Sequence, residues 1–168
     1  MHNDAFRPAA VRVRPTQGPV EFEALTEVWH GAVVATHDFL APEDVAHYRE
    51  QVRERLLARL EVHVAEDTEG HPLGFVGMEG HHVAMLFVAD RARGHGVGTL
   101  LLDHVAAHHP VLELDVNEQN PAARGFYESR GFTVTGRSPL DGEGRPFPLL
   151  HMRRSGERPR RRHGPTRA

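Results

Sequence analysis

The 168-residue sequence contains no cysteine, no lysine and no isoleucine. Without cysteine there is no disulfide, no thiolate metal site and no thiol nucleophile. All 20 basic residues are arginine, which we read as genomic base composition rather than as a functional signal. No stretch approaches the roughly 18 unbroken apolar residues of a membrane span. The N-terminal "MHNDAFRPAAVRVRP" lacks the apolar run of a secretory signal, so a cytoplasmic protein without membrane contact is expected. A formal net charge of −3 offers no general attraction to nucleic acid.

What is present is one domain of ordinary size, 39% apolar and 26% charged, long enough to bury a core. We place that domain at residues 7–154. The remainder, 155–168, carries five arginines and almost no apolar residue. It reads as a solvated, disordered tail, with contact to a polyanion as the weaker reading. Nothing in the sequence distinguishes a monomer from a homodimer.

Periodicity supplies the elements. "AAVRVRP" alternates as a first strand, and Phe22, Leu25, Trp29 and Val33 fall at helical spacing after a proline start. A second helix follows "ATHDFLAPED", with Val45, Tyr48, Val52, Leu56 and Leu60 on one stripe. "LEVHVAE", "PLGFVGMEG" and "HHVAMLFVA" read as three strands joined by turns. A glycine loop then opens a helix from about Gly98 to His109, and "VLELDVN" is the next strand. Asn120-Pro121 reads as a cap and first helical residue, and Gly131 as the left-handed end of that helix, with Phe132 packing back. "TVTGRS" and "FPLLHM" complete a mixed sheet with helices on both faces.

The loop "ADRARGHGVGT" holds the chemistry. Glycines at 94, 96 and 98 before a helix suit a phosphate, because a helix N-terminus presents unsatisfied N–H groups and glycine lets the backbone approach closely. A dinucleotide fingerprint fits poorly: its third position is Thr99, and five residues separate the strand from the first glycine. A Walker loop fails for want of Gly-Lys-Ser/Thr. His104 and His108 share a helix face at metal-ligand spacing, but lie in the last turn, where cations suit the dipole, and no metal is expected.

Arg93-x-x-Gly96-x-Gly98 after "MLFV", followed by "NEQNPAARGFYESRGF", resembles the coenzyme A site of the GNAT superfamily of N-acetyltransferases. More narrowly, "ATHDFL", "VNEQN", "VTGRS" and "PLL" resemble the small bacterial acetyltransferases of the YjaB type. The resemblance spans residues ~10 to 153 and implies a mostly antiparallel α/β sheet, splayed at its fourth and fifth strands. It implies direct transfer of acetyl from acetyl-CoA to a primary amine of a small molecule, peptide or protein, without a metal or an acyl-enzyme. Leu86, Phe87 and Val88 on the fourth strand, Arg93, Gly94, His95, Gly96, Val97, Gly98 and Thr99 in the loop, and Asn117 and Asn120 are the implied coenzyme contacts. Tyr127 matches the family's general acid. The acid many members carry on the fourth strand is absent, Ala84 standing in its place, which leaves His37 and His82 as candidate bases. Trp29, Thr36, Phe39 and Tyr48 are the expected acceptor pocket. The alternative function is a GNAT domain that binds acyl-CoA without turnover, as a sensor or interaction module.

Overall fold

The structure is a computed structural model and describes residues 10–156. Residues 157–168 of the arginine-rich tail, and the start of the domain at 7–9, lie outside the described residues. Seven strands form one sheet in the order β1-β2-β3-β4-β5-β7-β6. They are β1 (Arg12–Pro15), β2 (Glu61–Glu66), β3 (Pro72–Glu79), β4 (His82–Val88), β5 (Val111–Asn117), β6 (Thr133–Ser138) and β7 (Leu149–Ser155). All neighbouring strands pair antiparallel except β4 and β5, which are parallel. No helix of the described residues is long and apolar enough to cross a membrane.

One face of β2 to β4 is covered by α1 (Phe22–Thr36) and by a second helical stretch. Leu25, Trp29 and Val33 of α1 pack with Val62, Val64, Phe75 and Met85, as the 3.6-residue spacing predicts. The second stretch is not the continuous stripe expected from its sequence. It runs as α2 (Pro42–Gln51), then a π-turn over Val52–Leu56, then α3 (Leu57–Arg59), with Leu57 N–H bonded to Val52 O. The wider turn advances the buried face by one residue. Leu57 is therefore fully buried beside Val52, Leu56 is only half-buried, and Leu60 packs after the helix has ended.

The other face carries α4 (Val97–Ala106) and α5 (Pro121–Ser129). Val97, Leu101, Leu102 and Val105 of α4 pack with Leu73, Val76, Leu112, Leu114, Leu150 and Met152. Helix α4 stops short of the expected His109. The His108 and His109 N–H groups instead donate to Val105 O and Ala106 O, three residues back, tightening the chain ahead of Pro110. Strand β7 runs past Met152 to Ser155 because Val111 to Asn117 supply partners for its whole length.

Strands β5 and β7 send side chains into the α4/α5 core, but none into the core beneath α1. Their opposite face, with Glu113, Asp115, His151 and Arg153, therefore lacks a helix cover among the described residues. At the other side of the sheet, the open end of β1 is tied by charge. Arg14 pairs with Glu21 and donates to Glu66 (2.6 Å), while Thr16 and the Gln17 N–H also donate to Glu21 (2.9 and 3.0 Å). Burial pushes the Glu21 carboxyl up, but Arg14 and these donors more than offset it and hold it below the usual carboxylate range.

Candidate active site

Strands β4 and β5 touch at two positions only, His82 with Glu113 and Val83 with Leu114. Against β3, Gly77 pairs with Met85 and Met78 with Val83, so Ala84 is an extra, bulged residue. The bulge bends β4 at the point where its pairing with β5 stops. Beyond it the strands diverge around a cavity of about 490 Å³. Ala89, just past β4, donates its N–H to Leu73 of β3 (2.8 Å). Alternation along an antiparallel strand then turns the Phe87 amide to β3 as well, and the amides of Leu86 and Val88 toward the gap.

The glycine loop closes one end of this cavity. Gly94 and Gly96 adopt φ of 77° and 81°, in the left-handed region, and Gly96 caps α4 without any side-chain cap. The first N–H groups of α4 thus have no side-chain partner, which makes them available to an anion. A Cβ built at Gly94 or Gly96 would meet nothing within 4 Å, whereas one at Gly98 would stand 3.4 Å from the Phe126 ring. The loop is open outward and tight inward. Arg93 and Arg130 are the two cations that line the cavity among the described residues. Arg130 donates to Thr99 Oγ1 (Nε, 3.0 Å), with its guanidinium 4.6 Å from the Phe126 ring centroid. Neither Arg130 nor Phe126 is among the site residues expected from the sequence. The signal for them lies in "GFYESRGF", where the two stand one turn apart and so share a helix face.

Helix α5 and its N-cap bring Asn120 and Tyr127 to the cavity. Asn120 accepts from Ala123 N–H (3.2 Å), the cap expected of it, and also lines the cavity. Gly131 has φ of 89°, and the buried Phe132 folds back with its ring 5.6 Å from that of Tyr127. This fixes Tyr127, whose hydroxyl finds no hydrogen-bond partner among the described residues and is not sealed from the cavity it lines. Burial pushes its phenol pKa up, so the group holds its proton at neutral pH.

The end of helix α1 and its C-cap bring Thr36 and His37 to the cavity. Thr36 donates its one hydroxyl proton to Ala32 O (2.7 Å), so the 2.7 Å contact with His37 Nδ1 requires Nδ1 to carry the hydrogen. The His37 Nε2 lone pair is then bare. Burial pushes the His37 pKa down, against a smaller opposing effect of Asp38, which keeps the ring neutral. His37 lines the cavity; His82 does not, and sits with Nε2 3.7 Å from Asp115 Oδ2.

The cavity therefore gathers Thr36, His37, Leu86, Phe87, Val88, Arg93, Gly94, Gly96, Val97, Gly98, Thr99, Asn117, Asn120 and Tyr127 from the sequence expectation. It does not gather His95, Trp29, Phe39 or Tyr48. Trp29 is a core residue, 5% exposed and edge-on to Phe87; its spacing marks burial, not the pocket. Phe39 lies between His37 and Phe147, while Tyr48 donates to Asp141, so the first holds the β6–β7 connection against the α1–α2 link and the second holds it against α2. Among the described residues no group of three His, Asp or Glu side chains is disposed to hold a metal ion.

Residues 35–154 match the acetyltransferase (GNAT) domain family. The chain is similar to the peptidyl-lysine N-acetyltransferase YjaB of Escherichia coli strain K12, 42% identical over 79% of this chain and 89% of that one. It is also similar to the peptidyl-lysine N-acetyltransferase YiaC of the same strain, at 35% identity over 68% and 78% of the two chains. The solution structure of apo-form YjaB from Escherichia coli matches with a TM-score of 0.81 at 39% identity, covering 88% of this chain and 99% of that one. A structure of yncA from Salmonella typhimurium with its cofactor acetyl-CoA matches with a TM-score of 0.60 over 94% of this chain and 98% of that one. At 23% identity it shows the shared fold alone.

Proposed function

The chain belongs to the GNAT acetyltransferase family, and we propose that it moves the acetyl group of acetyl-CoA to the side-chain amine of a lysine in a protein or peptide. The observation that carries this reading is the cavity between the parted strands, which has phosphate-binding features at one end and a proton donor and acceptor along its walls. The acceptor class comes from the peptidyl-lysine activity for which YjaB and YiaC are named.

The residues present fit acetyl-CoA. The space that a Cβ would fill at Gly94 and Gly96 is open, the N-terminus of α4 is uncapped, and Arg93 and Arg130 flank it. A pyrophosphate there would be held by the Gly94 to Thr99 backbone, with Asn117 and Asn120 lining the way past α5. The outward amides of Leu86 and Val88 form a short free strand edge of the kind that pairs with an extended amide chain. When bound, the coenzyme supplies an activated acetyl thioester. The Val88 N–H is turned into the gap, where it can stabilise charge developing on the acetyl oxygen. His37 Nε2 accepts the amine's proton, and Tyr127, kept protonated by burial, donates to the departing sulfur. Tyr127 and His37 together favour turnover over a silent coenzyme sensor, which needs neither.

The test is single-turnover transfer from acetyl-CoA to a lysine peptide. Because this chain has no lysine, any acetyl-lysine formed belongs to the acceptor. Tyr127→Phe keeps the ring, so transfer should slow by about 10²-fold while the acetyl-CoA Kd changes less than about threefold. Transfer at the wild-type rate in that variant would remove Tyr127 as the acid. A wild-type protein that binds acetyl-CoA and acetylates no lysine peptide would overturn the acceptor.

A further inference from the structure

The uncovered face of β5 and β7 holds two carboxylates, and they are treated differently. Glu113 has Arg153 at 3.8 Å and His81 at 3.3 Å, on a surface away from the cavity. Asp115 faces only imidazoles: His151 from β7, in close contact through Nδ1, and His82 from β4, at 3.7 Å. No guanidinium reaches it among the described residues. A carboxylate can only accept, so His151 donates from Nδ1; its Nε2 lies 2.7 Å from Ser138 Oγ, which holds the ring in place. Asp115 is thus held by a hydrogen-bond donor and has no guanidinium within 4 Å among the described residues. It is also the one carboxylate among the described residues that line the cavity.

We infer that Asp115, oriented by His151 and Ser138, is the docking site for the acceptor's ammonium group. The inference rests on the lysine reading above and deepens it. A lysine side chain is an ammonium at neutral pH, with a reference pKa of about 10.4, and must be bound in that form before it can lose a proton. The two arginines stand with the glycine loop, where the coenzyme's phosphates would be held, and Asp115 supplies the opposite charge in the same cavity. A cation entering between the strands is drawn to Asp115 Oδ2, the oxygen that His151 leaves free. Deprotonation then moves one proton from the ammonium to the bare Nε2 of His37, leaving a neutral amine with its lone pair free and an imidazolium. Asp115 takes no proton; it selects acceptors that arrive charged. The other ionisable groups facing it are His82, His151 and, one pleat away, Glu113 with Arg153. Ala84, bulged and without a polar atom, leaves this task to the neighbouring strand.

The test reads binding rather than turnover, so that it can fail separately from the transfer reading. CoA-loaded protein is titrated calorimetrically with a short lysine peptide and with the same peptide carrying norleucine, which keeps the chain and lacks the charge. The wild type should prefer lysine by roughly tenfold or more, and Asp115→Asn, near-isosteric at a half-exposed site, should reduce that ratio to within about twofold. His151→Leu removes the donor that orients Asp115 and should lower the ratio by about threefold. An undiminished lysine preference in Asp115→Asn, or no preference in the wild type, would overturn the docking site. A full ratio in His151→Leu would overturn the positioning role of His151. A lysine preference without acetyl transfer would leave the docking site standing and sink the transfer reading.

Discussion

Strands β1 to β4 are hydrogen-bonded along their lengths and β2 to β4 are packed on both faces, whereas β5 and β7 are covered on one face alone and β6 buries none of its residues. The halves meet through two residue pairs. In the first half, charge is matched and enclosed: Glu21 and Glu66, 6% and 7% exposed, share Arg14. In the second half, polar groups are left open toward a cavity, among them Tyr127, Asn117 and Asp115. The same sheet thus separates two demands. Continuous pairing supplies cohesion where nothing need enter, and interrupted pairing supplies polar backbone and side chains where a ligand must.

The strongest way to break that contrast is to unmatch the enclosed charges. Arg14→Leu leaves the mostly buried Glu21 without a cation and Glu66 with only the exposed Arg12, which should cost about 3 kcal/mol, the lower end of the range for buried pairs because the cluster sits at a sheet edge. Coenzyme affinity below the shifted melting temperature should stay within about threefold. The wild-type cluster also carries a pH signature. Glu21 and Glu66 titrate below their ordinary value, so the stability they give is complete above about pH 4.5 and is lost as the pH falls through the lowered folded-state values. Denaturation across pH 3 to 6 checks both points; a loss of coenzyme binding in folded Arg14→Leu would erase the division between the halves.

A smaller effect belongs to His37, which α1 delivers from the cohesive half to the open one. As the proposed base His37 works unprotonated, and burial lowers its pKa. Activity should therefore persist below the usual histidine range, near pH 6.5, and fall only as the pH drops through the lowered value. His37→Gln should lose about 10²-fold in single-turnover transfer, and the acid limb with it. Survival of that limb in the variant would assign it to another group.

Much of this is legible in the residues because local signals and tertiary structure agree. The Asn120-Pro121 start, the Gly131 end, the alternation that opens β2 and the short apolar runs of β3 and β4 each state their own conformation. The cavity's loop is likewise readable from its glycine spacing, and its tyrosine from the family resemblance. The π-turn at Val52 is not, since the core cluster that takes in both Val52 and Leu57 is built from several elements, which periodicity along one helix cannot register. Trp29 reads as a pocket residue because an aromatic at helical spacing suits either role; only the fold shows that it packs edge-on to Phe87. Asp115, His151 and Ser138 are 36 residues apart from end to end and meet through strand register alone. No sequence window contains that alignment.

The smallest expected effect comes from the loop, and it separates coenzyme binding from folding. Gly96 holds a left-handed φ of 81° at the start of α4, a conformation that costs an L-residue about 1–2 kcal/mol and a β-branched one more. A side chain there would meet no protein atom within 4 Å, so Gly96→Val has room and should fold, with a modest drop in melting temperature. The bound coenzyme would feel the change twice, through amides swung off their aim and through a branched side chain in the space the phosphates would use. The acetyl-CoA Kd should rise about tenfold or more. In a thermal-shift titration the wild type should gain roughly 2.7 kcal/mol at a hundred times Kd, and the variant clearly less at the same concentration. Gly96→Ala, with one methyl group, should fall between them. An equal shift in all three proteins would mean that the pyrophosphate lies elsewhere, and a shift with NADH but none with acetyl-CoA would return the loop to a dinucleotide.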